Sequence, residues 1–363
     1  MLAYMFHTKF WKEQRPTAYG FCPWAMRVNI DALLAGGVKA FLCAAYVLEQ
    51  TMYKDVWPLN LLAHLHPRAR HMATASPDAL TREYLDTAER MVAETCRRRG
   101  EVIAVARSFA DYQRITGEGR ICMLHAIEGA HHLNGNIDMV DELYERGVCQ
   151  MILPHLYPNE AGGCVDLVVS DLRLPLMPGC FQKKYQDSSG LSPWGRELVE
   201  KLLDVGIIVD PTHGTREFRK QVIDIARSNS KKRPVIMSHV NVPGAEFSTC
   251  GINPLPEEIR DIADTGGVIG LIMSYHAPND SKTKTGVESI LGAIDYLIKY
   301  GGENVVAFGS DFDGFFGVLP EDIKSPRGYG GLRDAMLSKY TDEQVAKFMS
   351  VNAERVLRDG WGK

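Results

Sequence analysis

The stretch "IIVDPTHGTREFRKQVIDIARSNSKKRPVIMSH", residues 207–239, contains one structural pattern twice in succession. A short apolar run leads to His213, a helical pattern follows over 215–228, and a second apolar run leads to His239. Short apolar runs that alternate with helical patterns predict βαβ units with parallel strand pairing. The stretch therefore predicts two neighbouring parallel strands, each followed by a histidine.

The same alternation continues along most of the chain. Further strands are predicted within 36–47, 120–129, 148–155, 267–275 and 304–311, and further helices within 76–100, 136–147, 192–206, 254–266 and 286–302. No linker rich in proline or serine and no change of composition interrupts the pattern. We expect a single domain over residues 1–363.

Two parallel architectures fit this pattern, a doubly wound sheet and a closed (β/α)8 barrel of the TIM type. No G-x-G-x-x-G follows the first strand, which removes the usual dinucleotide fingerprint. Ionisable residues from five strands decide between the two architectures, because Glu128, His155, His213, His239 and Asp311 all lie where a predicted strand ends. A barrel brings such strand ends to one mouth. We therefore predict the barrel.

Composition excludes several functional classes. The chain has 363 residues, 45% hydrophobic content and a net charge of −4, with no basic cluster for nucleic acid and no apolar stretch that predicts a membrane span. Its eight cysteines form no C-x-x-C pair, which is typical of reduced thiols. The N-terminal sequence has no signal-peptide pattern. We expect a cytoplasmic protein that binds neither nucleic acid nor membrane.

The residue types at the predicted mouth indicate metal chemistry. Two neutral imidazoles and a carboxylate suit Zn²⁺, which activates water when one coordination position stays open. A further carboxylate can move the proton, and Asp311 in "VVAFGSDFDG", residues 305–314, is the candidate. We expect Gly309 and Gly314 to allow close backbone approach and Asp313 to hold its loop by hydrogen bonds.

The other histidines have weaker patterns. His64, His66, His131 and His132 are expected at the surface or in loops, and the pattern of His276 favours no role. His125 shares a strand with Glu128 but lies three residues away, so its side chain is expected on the opposite face.

Four strings, in their order and spacing, resemble the membrane (renal) dipeptidase family of zinc metallopeptidases, peptidase family M19. They are "AIEGAHHL", "GLSPWGRELVEKLLDVGIIVDPTHG", "PVIMSH" and "VAFGSDFDG". The resemblance implies an amidohydrolase-type (β/α)8 barrel with a binuclear zinc site. By this resemblance Glu128 bridges the metals, and His213 and His239 hold the second zinc. His155 would polarise the scissile carbonyl, and Asp311 would carry the proton.

Two departures from the family pattern affect the expected site. The family holds its first zinc with a His-x-Asp at the end of the first strand, and this sequence contains no H-x-D; the nearest string is His7-Thr8-Lys9. A start that has lost the first-strand region would explain this, and we favour that explanation. The family also has an arginine after the second zinc histidine that grips a dipeptide carboxylate, whereas Pro243 stands near that place here.

These observations predict a zinc-dependent hydrolase that cleaves an amide bond in a small substrate, a dipeptide or a related amide. Two alternatives stay open: a homologue that binds metal and ligand without turnover, and a mononuclear amidohydrolase-like lyase. With three matched ligands we expect one firmly held zinc. A homodimer is expected by resemblance alone.

Overall fold

The computed structural model describes residues 9–12, 26–165, 190–242, 251–275, 284–314 and 319–362. The described residues form eight strands: β1 Ala40–Ala45, β2 Ile103–Ala106, β3 Ile121–Glu128, β4 Val148–Ile152, β5 Ile208–Asp210, β6 Met237–Val240, β7 Ile269–Leu271 and β8 Val306–Phe308. Six of the eight lie within the predicted strand segments, and β6 extends one residue beyond its predicted end at His239. The sequence pattern did not predict β2.

Helices connect these strands. They span Ile30–Ala35, Gln50–Asp55, Trp57–Leu65, Pro67–Thr74, Pro77–Arg99, Phe109–Gly117, Met139–Glu145, Pro193–Val205, Arg216–Ser228, Pro256–Asp264, Gly286–Gly301, Tyr329–Leu337, Asp342–Ala346 and Asn352–Gly360. Hydroxyl groups start several of them: the side chains of Ser192, Thr215 and Thr285 accept N–H bonds from the first turn of the helix that follows. In the described part of the chain, no helix combines the length and the apolar character required to cross a bilayer.

All strand pairs are parallel, as the βαβ pattern predicts. One sheet has the order β1-β3-β4-β5, with β2 along the first half of β3, and the second has the order β6-β7-β8. A parallel bridge between Val209 of β5 and Val235, two residues before β6, connects the two sheets. The strands therefore follow one another around a curved wall, with their C-terminal ends on the same side.

Side chains alternate between two layers along each strand. Val209 belongs to a hydrophobic cluster with Leu198 and Val222 of the flanking helices, whereas the preceding Ile208 clusters with Leu124 and Ala307 of other strands. This alternation is the period of two that a strand imposes. The wall therefore has a helix-covered outer face and an inner face shared among strands.

The inner face surrounds a cavity that reaches the strand ends. Its volume is about 1500 Å³, and its lining includes both the outer edge of β1 and the residues that follow β8. Among the described residues no strand pairs with the free edges of β1 and β8, and Leu42 in the middle of β1 is 40% exposed. Glu128, His155, His213, His239 and Asp311 also line this cavity.

Candidate metal centre and active site

Glu128, His213 and His239 converge at the C-terminal ends of three strands. Glu128 is the last residue of β3, His213 follows β5 by three residues, and His239 lies in β6. The Oε1 atom of Glu128 lies 3.7 Å from Nε2 of His213 and 3.6 Å from Nε2 of His239. The two Nε2 atoms are 2.9 Å apart. One ligand atom from each residue is therefore available at a single point.

The donor atoms of this cluster have the chemistry of a zinc site. Burial, together with the nearby His155 and His239, lowers the pKa of His213 well below its ordinary value, so its imidazole is neutral. The Ser238 hydroxyl lies 2.9 Å from Nδ1 of His239. Its oxygen can accept a hydrogen bond from the Nδ1–H group, which leaves the lone pair of Nε2 free for a metal ion. Two imidazole nitrogens and a carboxylate oxygen provide three ligands of a tetrahedral set and leave one position open for water or substrate. The cluster therefore fits Zn²⁺.

Asp311 follows β8 at the same end of the wall, and its backbone is held in an unusual conformation. Its φ is 50°, and His213 also has a positive φ of 72°. Such left-handed non-glycine residues concentrate at functional sites. Burial and the charge of Glu128 raise the pKa of Asp311 to about 7, although His239 and His155 act in the opposite direction. A carboxyl with that pKa can both accept and release a proton near neutral pH.

Close backbone packing places Asp311 beside His239. A Cβ atom at Gly309 would lie 1.6 Å from the carbonyl oxygen of Ser238, so no side chain fits there. Asp313 holds the other side of the turn, because its two carboxylate oxygens accept the backbone N–H groups of Arg27 at 2.8 Å and Val28 at 3.0 Å. The predicted structural role of Asp313 is confirmed.

His155 occupies the same cavity three residues beyond β4. Its Nε2 lies 3.7 Å from Oε1 of Glu128, and its ring centroid lies 4.7 Å from that of His213. On its other side, Nδ1 lies 3.3 Å from Oε1 of Glu49. Burial alone would lower the pKa of His155, but the carboxylates of Glu128 and Glu49 outweigh it and raise the pKa.

Glu49 and Tyr46 were not predicted from the sequence. Both lie after β1, where the chain folds toward the residues that follow β4, and the Tyr46 hydroxyl donates to Glu49 at 2.5 Å. The contact between Glu49 and His155 joins residues 106 positions apart. The signal that could have found them is that β1, like the other strands, is followed by ionisable residues.

The other histidines that the structure describes do not belong to the cluster of metal ligands. His125 is buried on the other face of β3 with Nε2 3.2 Å from Glu89, as predicted. His64 is exposed, also as predicted. His132 lies in the turn that follows β3, but it is fully buried beneath the loop after β1 and not at the surface. His7, Pro243 and His276 lie outside the described residues.

The sequence and the fold of the chain resemble those of known proteins. The family model "Membrane dipeptidase (Peptidase family M19)" matches residues 22–360. Dipeptidase tcpJ of Claviceps purpurea (strain 20.1) is 26% identical over 260 residues, which cover 70% of this chain and 55% of that protein. The chain thus spans little more than half the length of that curated relative.

Solved structures with the same fold include a metallopeptidase described as dipeptidase AC, with a TM-score of 0.73 and 20% identity over 100% of this chain and 97% of that chain. A metallopeptidase from Rhodobacter sphaeroides, liganded with a phosphinate mimic of the dipeptide L-Ala-D-Ala, gives a TM-score of 0.70 and 20% identity over 99% and 97% of the two chains. These similarities confirm the predicted TIM-type barrel. With a family match that extends over nearly its full length, the chain belongs to the membrane dipeptidase family, peptidase family M19.

Proposed function

We propose that the protein is a zinc-dependent hydrolase that cleaves an amide bond in a dipeptide or a related small substrate. The observation that carries this proposal is the convergence of Glu128, His213 and His239 with Asp311 at one cavity. Family membership supports the reaction class, and the dipeptide mimic bound to the Rhodobacter sphaeroides protein supports a substrate of that size.

The two imidazoles and the carboxylate would hold the cation. Zinc bound there would supply Lewis acidity and lower the pKa of water toward neutrality. Asp311 would take a proton from the attacking water and return it to the leaving nitrogen. The Nε2 atom of His155 faces the same cavity, where an N–H donor would stabilise the negative charge that develops on the carbonyl oxygen.

The substrate class follows from the missing arginine clamp. Pro243 stands near the place of the carboxylate-binding arginine, and Arg216, a basic residue close to the metal ligand His213, is already paired with Glu258 at 2.5 Å. Losing a charge-assisted hydrogen bond costs about 1.5 to 3 kcal/mol in binding. We therefore expect better activity on an amide whose leaving half has no free carboxylate.

A substrate panel tests both the proposed amide hydrolysis and the proposed preference for a leaving half without a free carboxylate. L-alanyl-L-alanine and its C-terminal amide are compared at saturating zinc, with Asp311→Asn as the inactive reference and His125→Asn as a matched histidine control. We expect zinc-dependent cleavage of both, with the amide preferred. Activity equal to that of Asp311→Asn on every substrate would favour a homologue that binds without turnover. A tenfold or larger preference for the free acid would contradict the substrate class alone.

A further inference from the structure

His155 is held from behind by a buried carboxylate. Glu49 is 6% exposed, and its Oε1 atom accepts from Nδ1 of His155 at 3.3 Å and from the backbone N–H of Leu156 at 3.2 Å. Its Oε2 atom accepts the Tyr46 hydroxyl at 2.5 Å. The ring of Tyr46 also lies against His155, with centroids 4.1 Å apart. Two sides of the imidazole are therefore in contact with this pair.

Glu49 itself is fixed by the loop that carries it. The backbone of Val47 is held on both sides, because its N–H donates to Nε2 of His132 at 2.9 Å and its carbonyl accepts from Nε2 of His131 at 2.7 Å. The ring of His132 is in turn held by Thr81, whose hydroxyl lies 2.7 Å from Nδ1. The loop after β1 is thus attached to the turn that directly follows Glu128, the last residue of β3.

The carboxylate of Glu49 determines which ring nitrogen of His155 faces the cavity. An ionised carboxylate can only accept, so Nδ1 of His155 must carry a proton toward Glu49. The ring cannot flip without leaving a buried carboxylate short of a donor, which carries a large desolvation penalty. The Nε2 atom consequently points toward Glu128 and the metal ligands, 3.7 Å from Glu128 Oε1.

We propose that Glu49 is a positioning residue for the reaction: it orients the His155 ring so that Nε2 faces the scissile carbonyl. This inference rests on the proposed hydrolase function. Glu49 does not line the cavity, so it acts through His155 and touches no substrate. The hydrogen bonds to Tyr46 and Leu156 hold the carboxylate in the one orientation that its role requires.

If Glu49 only stabilised the fold, its variants would lower the melting temperature but not kcat. If Glu49 positions His155, they should lower kcat. The experiment compares Glu49→Gln, Glu49→Leu and Asn352→Ala. The glutamine variant keeps the shape and one acceptor oxygen, and the leucine variant keeps the bulk but accepts nothing. Asn352 is a matched control, because it is 2% exposed and donates to the carbonyls of Glu303 and Val306 at the opposite end of β8.

We expect Glu49→Leu to lower kcat about tenfold to a hundredfold with little change in KM or bound zinc, because outer partners of site residues typically have effects of that size. Glu49→Gln should recover most of the lost kcat. Asn352→Ala should lower the melting temperature without lowering kcat. The inference would be overturned if Glu49→Leu changed KM alone. It would also be overturned if Glu49→Leu lowered the melting temperature and left kcat unchanged, as expected for Asn352→Ala.

A second readout does not depend on activity. In protein labelled with ¹⁵N-histidine, the His155 signals, assigned by their loss in His155→Gln, should show a protonated Nδ1 in the wild type and in Glu49→Gln. The Nδ1 proton should exchange faster with solvent in Glu49→Leu, because no carboxylate accepts its hydrogen bond there. Unchanged His155 signals in Glu49→Leu would overturn the inference. If the wild type hydrolyses no amide, the proposed function fails, and these spectra alone decide whether Glu49 orients the ring.

Discussion

The Nε2 atoms of His213 and His239 face each other at 2.9 Å, and both lie within 3.7 Å of the same oxygen of Glu128. Two imine nitrogens at this distance repel one another unless a proton or a cation lies between them. A bound cation satisfies both lone pairs and the carboxylate together. The contact therefore links the geometry of three strand ends to metal binding.

Removing one of these imidazoles should weaken zinc binding. We expect His239→Asn to lower zinc affinity by more than about a hundredfold, because a direct ligand should contribute at least as much as an outer partner. His125→Asn is the matched control, since His125 is also a buried histidine on a barrel strand but faces Glu89. Competition with a fluorescent chelator measures the affinities. Equal affinity in the two variants would place the zinc site elsewhere.

Asp311→Asn should separate catalysis from metal binding. Asparagine has the same shape but cannot accept the proton, so we expect kcat to fall about a hundredfold to ten-thousandfold. Zinc content, measured by mass spectrometry, should stay at the wild-type value. Asp322→Asn serves as the control, because Asp322 is exposed and caps the helix that begins at Gly286. A fall in kcat that is matched by loss of zinc would instead make Asp311 a ligand.

Buried His132 should make stability depend on pH. Its Nε2 accepts the Val47 N–H and its Nδ1 faces Thr81, so the neutral ring satisfies both partners. Burial, with the nearby His131 and His155, lowers the pKa of His132 well below its ordinary value. The unfolded chain binds the proton first, so stability is fully present above the unfolded pKa of about 6.5 and falls as pH decreases below it.

The measurement is urea unfolding at several pH values. We expect His132→Asn, which cannot titrate, to lose less stability than the wild type on acidification. The difference in slope should be at most about 1.4 kcal/mol per pH unit below pH 6.5. Parallel curves for the two proteins would show that His132 is protonated to the same extent in the folded and unfolded states.

Strand-end placement explains why the metal ligands could be predicted from the sequence. In a parallel barrel the C-terminal ends of all strands lie at the same rim. The convergence of Glu128, His213 and His239 could therefore be predicted once the strand boundaries were placed correctly. The family resemblance then suggested their roles.

Other features depend on tertiary contacts that no local pattern reports. Glu49 meets His155 because the loop after β1 folds over the end of β4. The burial of His132 depends on Thr81 in a distant helix. The short helix Trp57–Leu65 was not predicted, and none of its residues is buried, so it presents no core-facing stripe that a sequence pattern could reveal.

The most direct measurement follows zinc and hydrolysis in the same samples. Metal-free protein is titrated with zinc, while bound zinc and the cleavage rate of the dipeptide amide are recorded at each addition. We predict that rate and occupancy rise together and reach a plateau at about one zinc per chain, the number that one three-ligand site holds. Full hydrolysis by the metal-free protein, or a rate that does not change while Glu128, His213 and His239 take up zinc, would contradict the proposed role of this site.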